Sequence, residues 1–285
     1  MRLQQLDAQP SGLDRPRAST AAAVLRTLKA FASKTLAIAD MEVRKLRHDP
    51  TELATRAIQP ALWLLIFGQV MSRAHAIDTA GTPYLDFLTP GILAQSVLFI
   101  AIFNGISIIW ERDLGIVHKF LASPTPRAAL VIGKALGGGV RALVQAVVVM
   151  VLGLAMGVTV RHDAAAIGGL IVFVVLGAAV FSSFSLIIAC LVKTRERFMG
   201  VGQLLTMPLF FASNAIYPTA MMPHALQVIS RLNPLTYQVD ALRIILLPQF
   251  AARQQFGLPM DFMVLSVALV VLVAISARLY PHIAR

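Results

Sequence analysis

Long apolar runs separated by short polar segments make up most of the chain after residue 56. Residues 87–110 and 164–192 contain no Lys, Arg, Asp or Glu. Each run exceeds the ~18 apolar residues that mark a candidate membrane-spanning helix. The pattern predicts six transmembrane helices, at residues 57–71, 87–110, 136–158, 164–192, 198–222 and 262–277.

The region before the first predicted span has a different pattern. In residues 21–48, apolar side chains such as Phe31, Ile38 and Met41 recur at helical spacing, and Lys and Arg occupy other positions. This is typical of an amphipathic helix that lies in the membrane interface, with an ordinary surface helix as the alternative. Residues 1–20 lack the apolar core of a secretory signal and are predicted to be a disordered cytoplasmic tail.

The segment between the fifth and sixth predicted spans, residues 223–259, is too apolar for a simple polar loop. Two short apolar stretches flank Asn233 and Pro234. Proline disfavours α geometry in the residue before it, so a turn is expected at Asn233. The pattern predicts a re-entrant helical hairpin on the outer side, which is tolerated where protein covers its backbone. A plain extracellular loop is the alternative.

Composition supports the membrane assignment. The chain has 285 residues, of which 57% are hydrophobic and 14% are charged. Soluble domains are about a quarter charged. Strands of a membrane β-barrel are segments of about ten residues with alternating polarity, whereas these runs are continuous. The predicted fold class is therefore an all-α integral membrane protein.

The charge of the chain indicates its orientation rather than a nucleic-acid partner. The formal net charge is +11, and ten of the 25 Lys and Arg residues precede residue 57. If the N-terminus is cytoplasmic, nineteen Lys and Arg residues lie on the cytoplasmic side and five on the other. Basic residues concentrate on the cytoplasmic side of membrane proteins. Both termini are therefore predicted to be cytoplasmic, and no nucleic acid is expected as a partner.

Several catalytic and energy-coupling motifs are missing from the sequence. It contains no phosphate-binding Gly-x-x-x-x-Gly-Lys-Ser/Thr and no His-Glu-x-x-His. No Asp or Glu lies well inside a predicted span, although proton-coupled transporters usually need one. Cys190 is the single cysteine. We therefore expect no catalytic residue, no metal site and no cofactor in this chain, and a transport role would need a separate energy-supplying partner.

Polar side chains inside the predicted spans are candidates for a translocation path. Arg141 is the one charge within a span, and Asn104 and Gln145 are among the uncharged polar residues of the spans. Arg141 could contact an anionic substrate group or a lipid phosphate. It could instead extend toward the cytoplasmic interface, two helical turns away. Asn104 and Gln145 could line a path or form hydrogen bonds between helices.

Several short motifs follow one another along the chain. They are LTPGILA at 88–94, ERDLG at 111–115, Pro124, Gly133-Lys134, NPLTY at 233–237, Asp240 and Arg243. Their succession resembles the ABC-2 family, the membrane subunits of type-2 ABC exporters. The resemblance covers about residues 40 to 280 and is greatest to permeases for drug resistance and nodulation-factor export.

The resemblance implies an architecture and a set of partners. The architecture is one transmembrane domain over residues 21–285, with an interface helix, six spans and a re-entrant hairpin before the last span. The partners are a second permease copy, identical or related, and two copies of an ABC ATPase subunit. ATP and Mg would bind to the ATPase.

The resemblance also implies a contact with the ATPase. The family has an acidic-Arg-acidic-x-Gly loop after the second span, which forms a coupling helix. The matching positions are Glu111, Arg112, Asp113 and Gly115, within a predicted coupling loop at 111–127. Acidic groups near a helix start favour the positive end of its dipole and could pair with basic residues of a partner. A solvated cytoplasmic turn is the alternative.

These observations predict the permease subunit of an ATP-driven exporter in a bacterial inner membrane. It would move an amphipathic or lipid-linked small molecule out of the cytoplasm or inner leaflet. One alternative is a polysaccharide or glycolipid exporter of the same architecture. Others are a membrane-bound lipid-modifying enzyme and a passive channel or receptor. The predicted outer turn at Asn233 and Pro234 and the residues Asn104, Arg141 and Gln145 complete the candidate sites.

Overall fold

The described part of the chain is helical throughout its regular elements. A computed structural model describes residues 29–41, 44, 50–79, 81–122, 126–250 and 255–280, and among these no strand forms. The predicted tail at 1–20 lies outside the described residues. So do residues 21–28 and most of 42–48 in the predicted interface helix.

Twelve α-helices can be numbered among these residues, together with one π-helical and two 3-10 turns. The helices are α1 (29–41), α2 (Pro50–Leu62), α3 (Gln69–Ala74), α4 (Tyr84–Phe103), α5 (Gly105–Asp113), α6 (Ile116–Ala122), α7 (Arg127–Ala155), α8 (Ala164–Leu191), α9 (Arg195–Phe211), α10 (His224–Leu232), α11 (Pro234–Leu246) and α12 (Leu258–Leu279). A π-helical turn, Trp63–Gly68, joins α2 to α3 without a break. The 3-10 turns are Thr219–Met221 and Pro248–Phe250.

Four segments of the described chain are long and apolar enough to cross a membrane. They are Tyr84–Asp113, which combines α4 and α5, then α7, α8 and α12. They match the predicted second, third, fourth and sixth spans. The predicted first span falls within the continuous helical stretch from α2 to α3. The structure thus supports a multi-pass membrane protein.

The predicted fifth span is too long at its C-terminal end. The hydropathy pattern predicts a helix that reaches residue 222, but α9 ends at Phe211. The following segment leaves helical geometry and turns into the core, where Ala215 and Ile216 are buried. It lies so close to α4 that a Cβ atom on Gly91 would collide with the Ala215 carbonyl. The segment is therefore apolar because it packs inside the protein.

Helix α4 is the centre of the fold. Seventeen of its twenty residues are buried, and α7, α8, α9 and α11 pack around it. Burial on all sides explains why this helix is apolar without a polar face. Helix α12 packs on α8 and α11 but leaves many of its large apolar side chains exposed, as expected of a helix that faces lipid.

The connections divide between the two ends of the helical bundle. At one end, Arg195 at the start of α9 contacts Asp113 at the end of α5. Helix α1 lies at the same end, because Ile38 packs against Gly133 near the start of α7. At the other end, the Tyr84 hydroxyl donates to the Ile216 carbonyl at 3.1 Å. The segments predicted to be cytoplasmic are thus grouped together.

Candidate functional site

The predicted coupling residues lie where α5 ends and α6 begins. Sequence reasoning expects Glu111 and Asp113 near a helix start, but both belong to the last turn of α5. The chain then turns at Gly115, whose φ of 72° is a conformation that glycine adopts without strain. Helix α6 begins at the next residue, Ile116. The carboxylates therefore lie at the negative end of α5 and gain nothing from its dipole.

Glu111 has a partner within the chain. Its Oε2 accepts a hydrogen bond from Lys134 Nζ at 2.6 Å, and each side chain is only 5% exposed. Breaking such a pair by removing one partner is strongly destabilising, because the other charge stays buried. The pair therefore fixes the end of α5 against the first turns of α7. Both residues belong to motifs noted in the sequence, but nothing in the sequence indicates that Glu111 and Lys134 form an ion pair.

Asp113 and Arg112 connect the same turn to the segment between α8 and α9. Arg195 Nη2 lies 2.9 Å from Asp113 Oδ2, and Arg112 Nη2 lies 3.0 Å from Asp113 Oδ1. Arg112 also donates to the Lys193 carbonyl at 2.6 Å. The Arg195 guanidinium lies over the Trp110 ring, 3.3 Å from its centroid. Charge-assisted bonds and a cation–π contact thus join two connections that are eighty residues apart.

The exposed part of this turn carries apolar, basic and acidic side chains. Leu114 is 67% exposed at the tip, and Lys119 on α6 is also exposed. Glu111 is buried, whereas Asp113 is 39% exposed and is paired with Arg112 and Arg195 of the same chain. We name the surface formed by Leu114 and Lys119 the docking tip.

Asn104 and Arg141 form a buried polar contact between the α4–α5 junction and α7. The Arg141 guanidinium donates to Asn104 Oδ1, and the two residues are 8% and 7% exposed. A Cβ atom on Gly138 would lie 2.7 Å from the Ser182 hydroxyl, so α8 approaches α7 closely at this level. Arg141 is thus held inside the helical bundle by another residue of the chain.

Gln145 lies one helical turn beyond Arg141 and lines a cavity of about 460 Å³. Its side chain is 1% exposed. The structure therefore places the three predicted path residues in two adjacent layers. Asn104 and Arg141 bond to each other, and Gln145 borders open space.

The predicted outer turn joins α10 to α11. Asn233 is extended, with φ −87° and ψ 116°, as expected for a residue before proline. Its Oδ1 accepts from the Leu235 amide at 3.0 Å, which caps α11, and its Nδ2 donates to the Leu209 carbonyl at 2.6 Å. Pro234 occupies the first helical position, where its missing N–H costs nothing.

Arg243 joins three segments at the same end, which the sequence did not predict. It is 3% exposed and donates to the carbonyls of Phe87 at 3.2 Å and Ala215 at 3.0 Å. Its guanidinium lies 3.6 Å from the centroid of the Phe87 ring. One arginine thus donates to a backbone carbonyl of α4 and to a backbone carbonyl of the segment after α9. Its place as the single charged residue of the apolar stretch 241–247 was the available signal.

The described residues also include a thiol and side chains of the types that ligate metals. Within the described ranges, no group of three or more His, Cys, Asp or Glu residues is placed to hold a metal ion. Cys190 is a free, half-buried thiol, and its neighbours are apolar.

Comparison with known proteins gives a consistent family. Residues 33–247 match the family model described as ABC-2 type transporter. The putative transport permease ycf38 of Cyanophora paradoxa is 30% identical over 203 residues, which cover 70% of each chain. The daunorubicin resistance ABC transporter permease protein DrrB1 of Streptomyces coeruleorubidus is 28% identical over 69% of each chain. The inner membrane transport permease YadH of Escherichia coli is 25% identical over 67% of this chain and 73% of its own.

Proposed function

The chain belongs to the ABC-2 type transporter family, and we propose that it is the membrane subunit of an ATP-driven exporter whose docking tip receives the motion of a separate ATPase. Family membership makes the chain a membrane transport permease and implies an ABC ATPase as its general partner. The ATPase would bind ATP and Mg, and this chain would bind neither.

The observation that carries the proposal is the bracing of the turn between α5 and α6. A coupling element must move as a rigid body, or the work of the ATPase is lost in local deformation. Lys134 fixes this turn to α7 through Glu111, and Arg195 fixes it to the start of α9 through Asp113. Force on Leu114 would therefore reach two membrane helices besides α4.

The finer architecture is part of the same proposal. Six spans would result if the helical stretch from α2 to α3 and the shorter α9 also cross the bilayer. Helices α10 and α11 would form a re-entrant hairpin in the outer leaflet. The docking tip and both termini would be cytoplasmic, in a bacterial inner membrane. The working complex would contain two permease copies and two ATPase copies.

The proposed substrate is an amphipathic or lipid-linked small molecule that leaves the cytoplasm or the inner leaflet. Support comes from a relative named for daunorubicin resistance and from a cavity that has both polar and aromatic walls. A polysaccharide or glycolipid exporter would use longer aromatic surfaces for sugar stacking. Only Trp63 and Trp110 are available as tryptophans, and the Arg195 guanidinium occupies one face of the Trp110 ring.

Co-purification from the host cell tests the proposal. Tagged protein in mild detergent should bring down an ATPase, and Leu114→Asp should reduce the recovered ATPase about tenfold because it places a charge on an apolar docking contact. Leu114 is a better probe than Glu111, since Glu111→Lys would bury two ammonium groups together. Met221, 52% exposed at the other end of the bundle, provides the matched control Met221→Asp.

Each outcome of this experiment is informative. Loss with Leu114→Asp but not with Met221→Asp supports the docking tip. Equal recovery with all three proteins keeps an ATPase-driven permease but moves the contact elsewhere. Well-folded protein that brings down no ATPase contradicts the proposed exporter.

A further inference from the structure

A cavity of about 460 Å³ lies between α2, α4, α7 and α9. Each of these helices contributes a glutamine to its wall. They are Gln59, Gln95, Gln145 and Gln203. Four amides from four helices thus surround one space.

Two of the glutamines are buried and have no hydrogen-bond partner among the described residues. Gln95 is 2% and Gln145 is 1% exposed, and neither the oxygen nor the nitrogen of either amide is bonded. Each amide offers two N–H donors and a carbonyl acceptor. Buried polar groups are almost always satisfied, so the cavity calls for an occupant with both donors and acceptors.

The rest of the wall is apolar or already satisfied. Phe99 and Phe103 lie one turn apart on α4, with ring centroids 6.1 Å apart. Ser96 donates its hydroxyl to the Ile92 carbonyl at 2.8 Å and so offers no free proton to an occupant. The ten described residues that line the cavity are all uncharged. An occupant with an uncharged polar part and an apolar part would match these walls.

The position of the cavity fits entry from the membrane. Gln95 lies in the middle part of the segment Tyr84–Asp113. At 1.5 Å per residue it is roughly 16 Å from the start of that segment and roughly 27 Å from its end. Thr55 and Gln203, which also line the cavity, are exposed, so it opens between α2 and α9. A bilayer-dissolved molecule could therefore reach the buried amides laterally.

We propose that this cavity binds the uncharged, hydroxyl- or amide-bearing head group of an amphipathic molecule. Gln95 and Gln145 hydrogen-bond the head group, and Phe99 and Phe103 contact the adjoining apolar part. That the molecule is a transported substrate rests on the proposed exporter function. Its binding requires no ATPase.

Photolabelling of the full chain in lipid nanodiscs, without ATPase, tests the site. The probe is an alkyl glycerol ether with a diazirine in its chain, and the matched probes carry a trimethylammonium or a carboxylate head on the same chain. We expect the glycerol ether to label peptides from α4 and α7 and to outcompete both charged probes. Gln95→Leu and Gln145→Leu should each lower this labelling about tenfold, the effect of losing one or two neutral hydrogen bonds.

Gln69→Leu provides the matched control, because Gln69 on α3 is helical and does not line the cavity. Thermal unfolding in the same nanodiscs identifies any variant that fails to fold. For a variant of Gln145 that fails, Gln145→Met, which keeps the length of the side chain, is measured in its place. Labelling that is the same in folded cavity variants and in Gln69→Leu would mean that the amides bind only water, which overturns the proposal. Preference for a charged probe overturns the assigned ligand class.

The site and the exporter function can fail separately. If labelling depends on Gln95 and Gln145 but the protein brings down no ATPase, the binding site is supported and the exporter function is contradicted. If the protein brings down an ATPase but labelling is unchanged in the Gln95 and Gln145 variants, the exporter function is supported and the proposed binding site is overturned.

Discussion

Removing the Lys134 ammonium should destabilise the protein far more than removing a typical ion pair. Lys134 Nζ lies 2.6 Å from Glu111 Oε2, and each side chain is 5% exposed. Lys134→Met would remove this ammonium from beside a carboxylate that stays buried, which should cost about 3–5 kcal/mol. Glu111→Gln should cost a similar amount, because the Lys134 ammonium stays buried and loses this carboxylate. The double variant should be closer to the native stability than either single one, because both buried charges are gone.

The chain contains a matched exposed pair that acts as the control. Arg44 and Asp40 are 2.8 Å apart, similar to the buried pair, but their side chains are 76% and 58% exposed. Arg44→Met should therefore change the free energy of unfolding by less than about 1 kcal/mol. Denaturant titration in mixed micelles measures all variants on one scale. Single losses below about 1 kcal/mol at Lys134 and Glu111, additive in the double variant, would show that burial does not strengthen this pair.

Two further predictions concern the turns that shape the candidate sites. Gly115→Ala forces a non-glycine residue to φ near 72°, so it should lower the free energy of unfolding by about 1–2 kcal/mol and weaken ATPase recovery. Gly115→Asn should retain more stability and more ATPase recovery, since asparagine tolerates this region. Equal behaviour of the two variants would argue against a conformational role. Asn233→Ala removes the α11 cap and the bond to the Leu209 carbonyl, so thermal unfolding should show a loss of about 2 kcal/mol, and an unchanged midpoint would contradict the assigned contacts.

The sequence predicted the helices that are defined by long uninterrupted patterns. The charge-free run at 164–192 coincides with α8, Ala164–Leu191. An uninterrupted apolar run of this length predicts one membrane-spanning helix. The prediction of the C-terminal end of α9 was wrong. A lipid-facing helix and a non-helical segment buried in protein are both apolar, so hydropathy does not distinguish them. Ala215 and Ile216 belong to the second kind.

The candidate sites were predictable in position more than in role. The motif at 111–115 marked the turn between α5 and α6, but Lys134 is 23 residues from Glu111 and their contact depends on how α5 meets α7. The glutamines lie on four separate helices, and only packing brings them to one cavity. Neither relation is local, so neither leaves a periodic signal in the sequence.

Photocrosslinking from the docking tip is the sharpest test of whether this tip touches an ATPase subunit. A benzophenone amino acid at the position of Leu114 should give, on irradiation of intact cells, one adduct of this chain with an ATPase. The same amino acid at the position of Met221 should give none. Efficient incorporation at 114 without an ATPase adduct, or an equal adduct from 221, would show that the docking tip is not the contact with the ATPase.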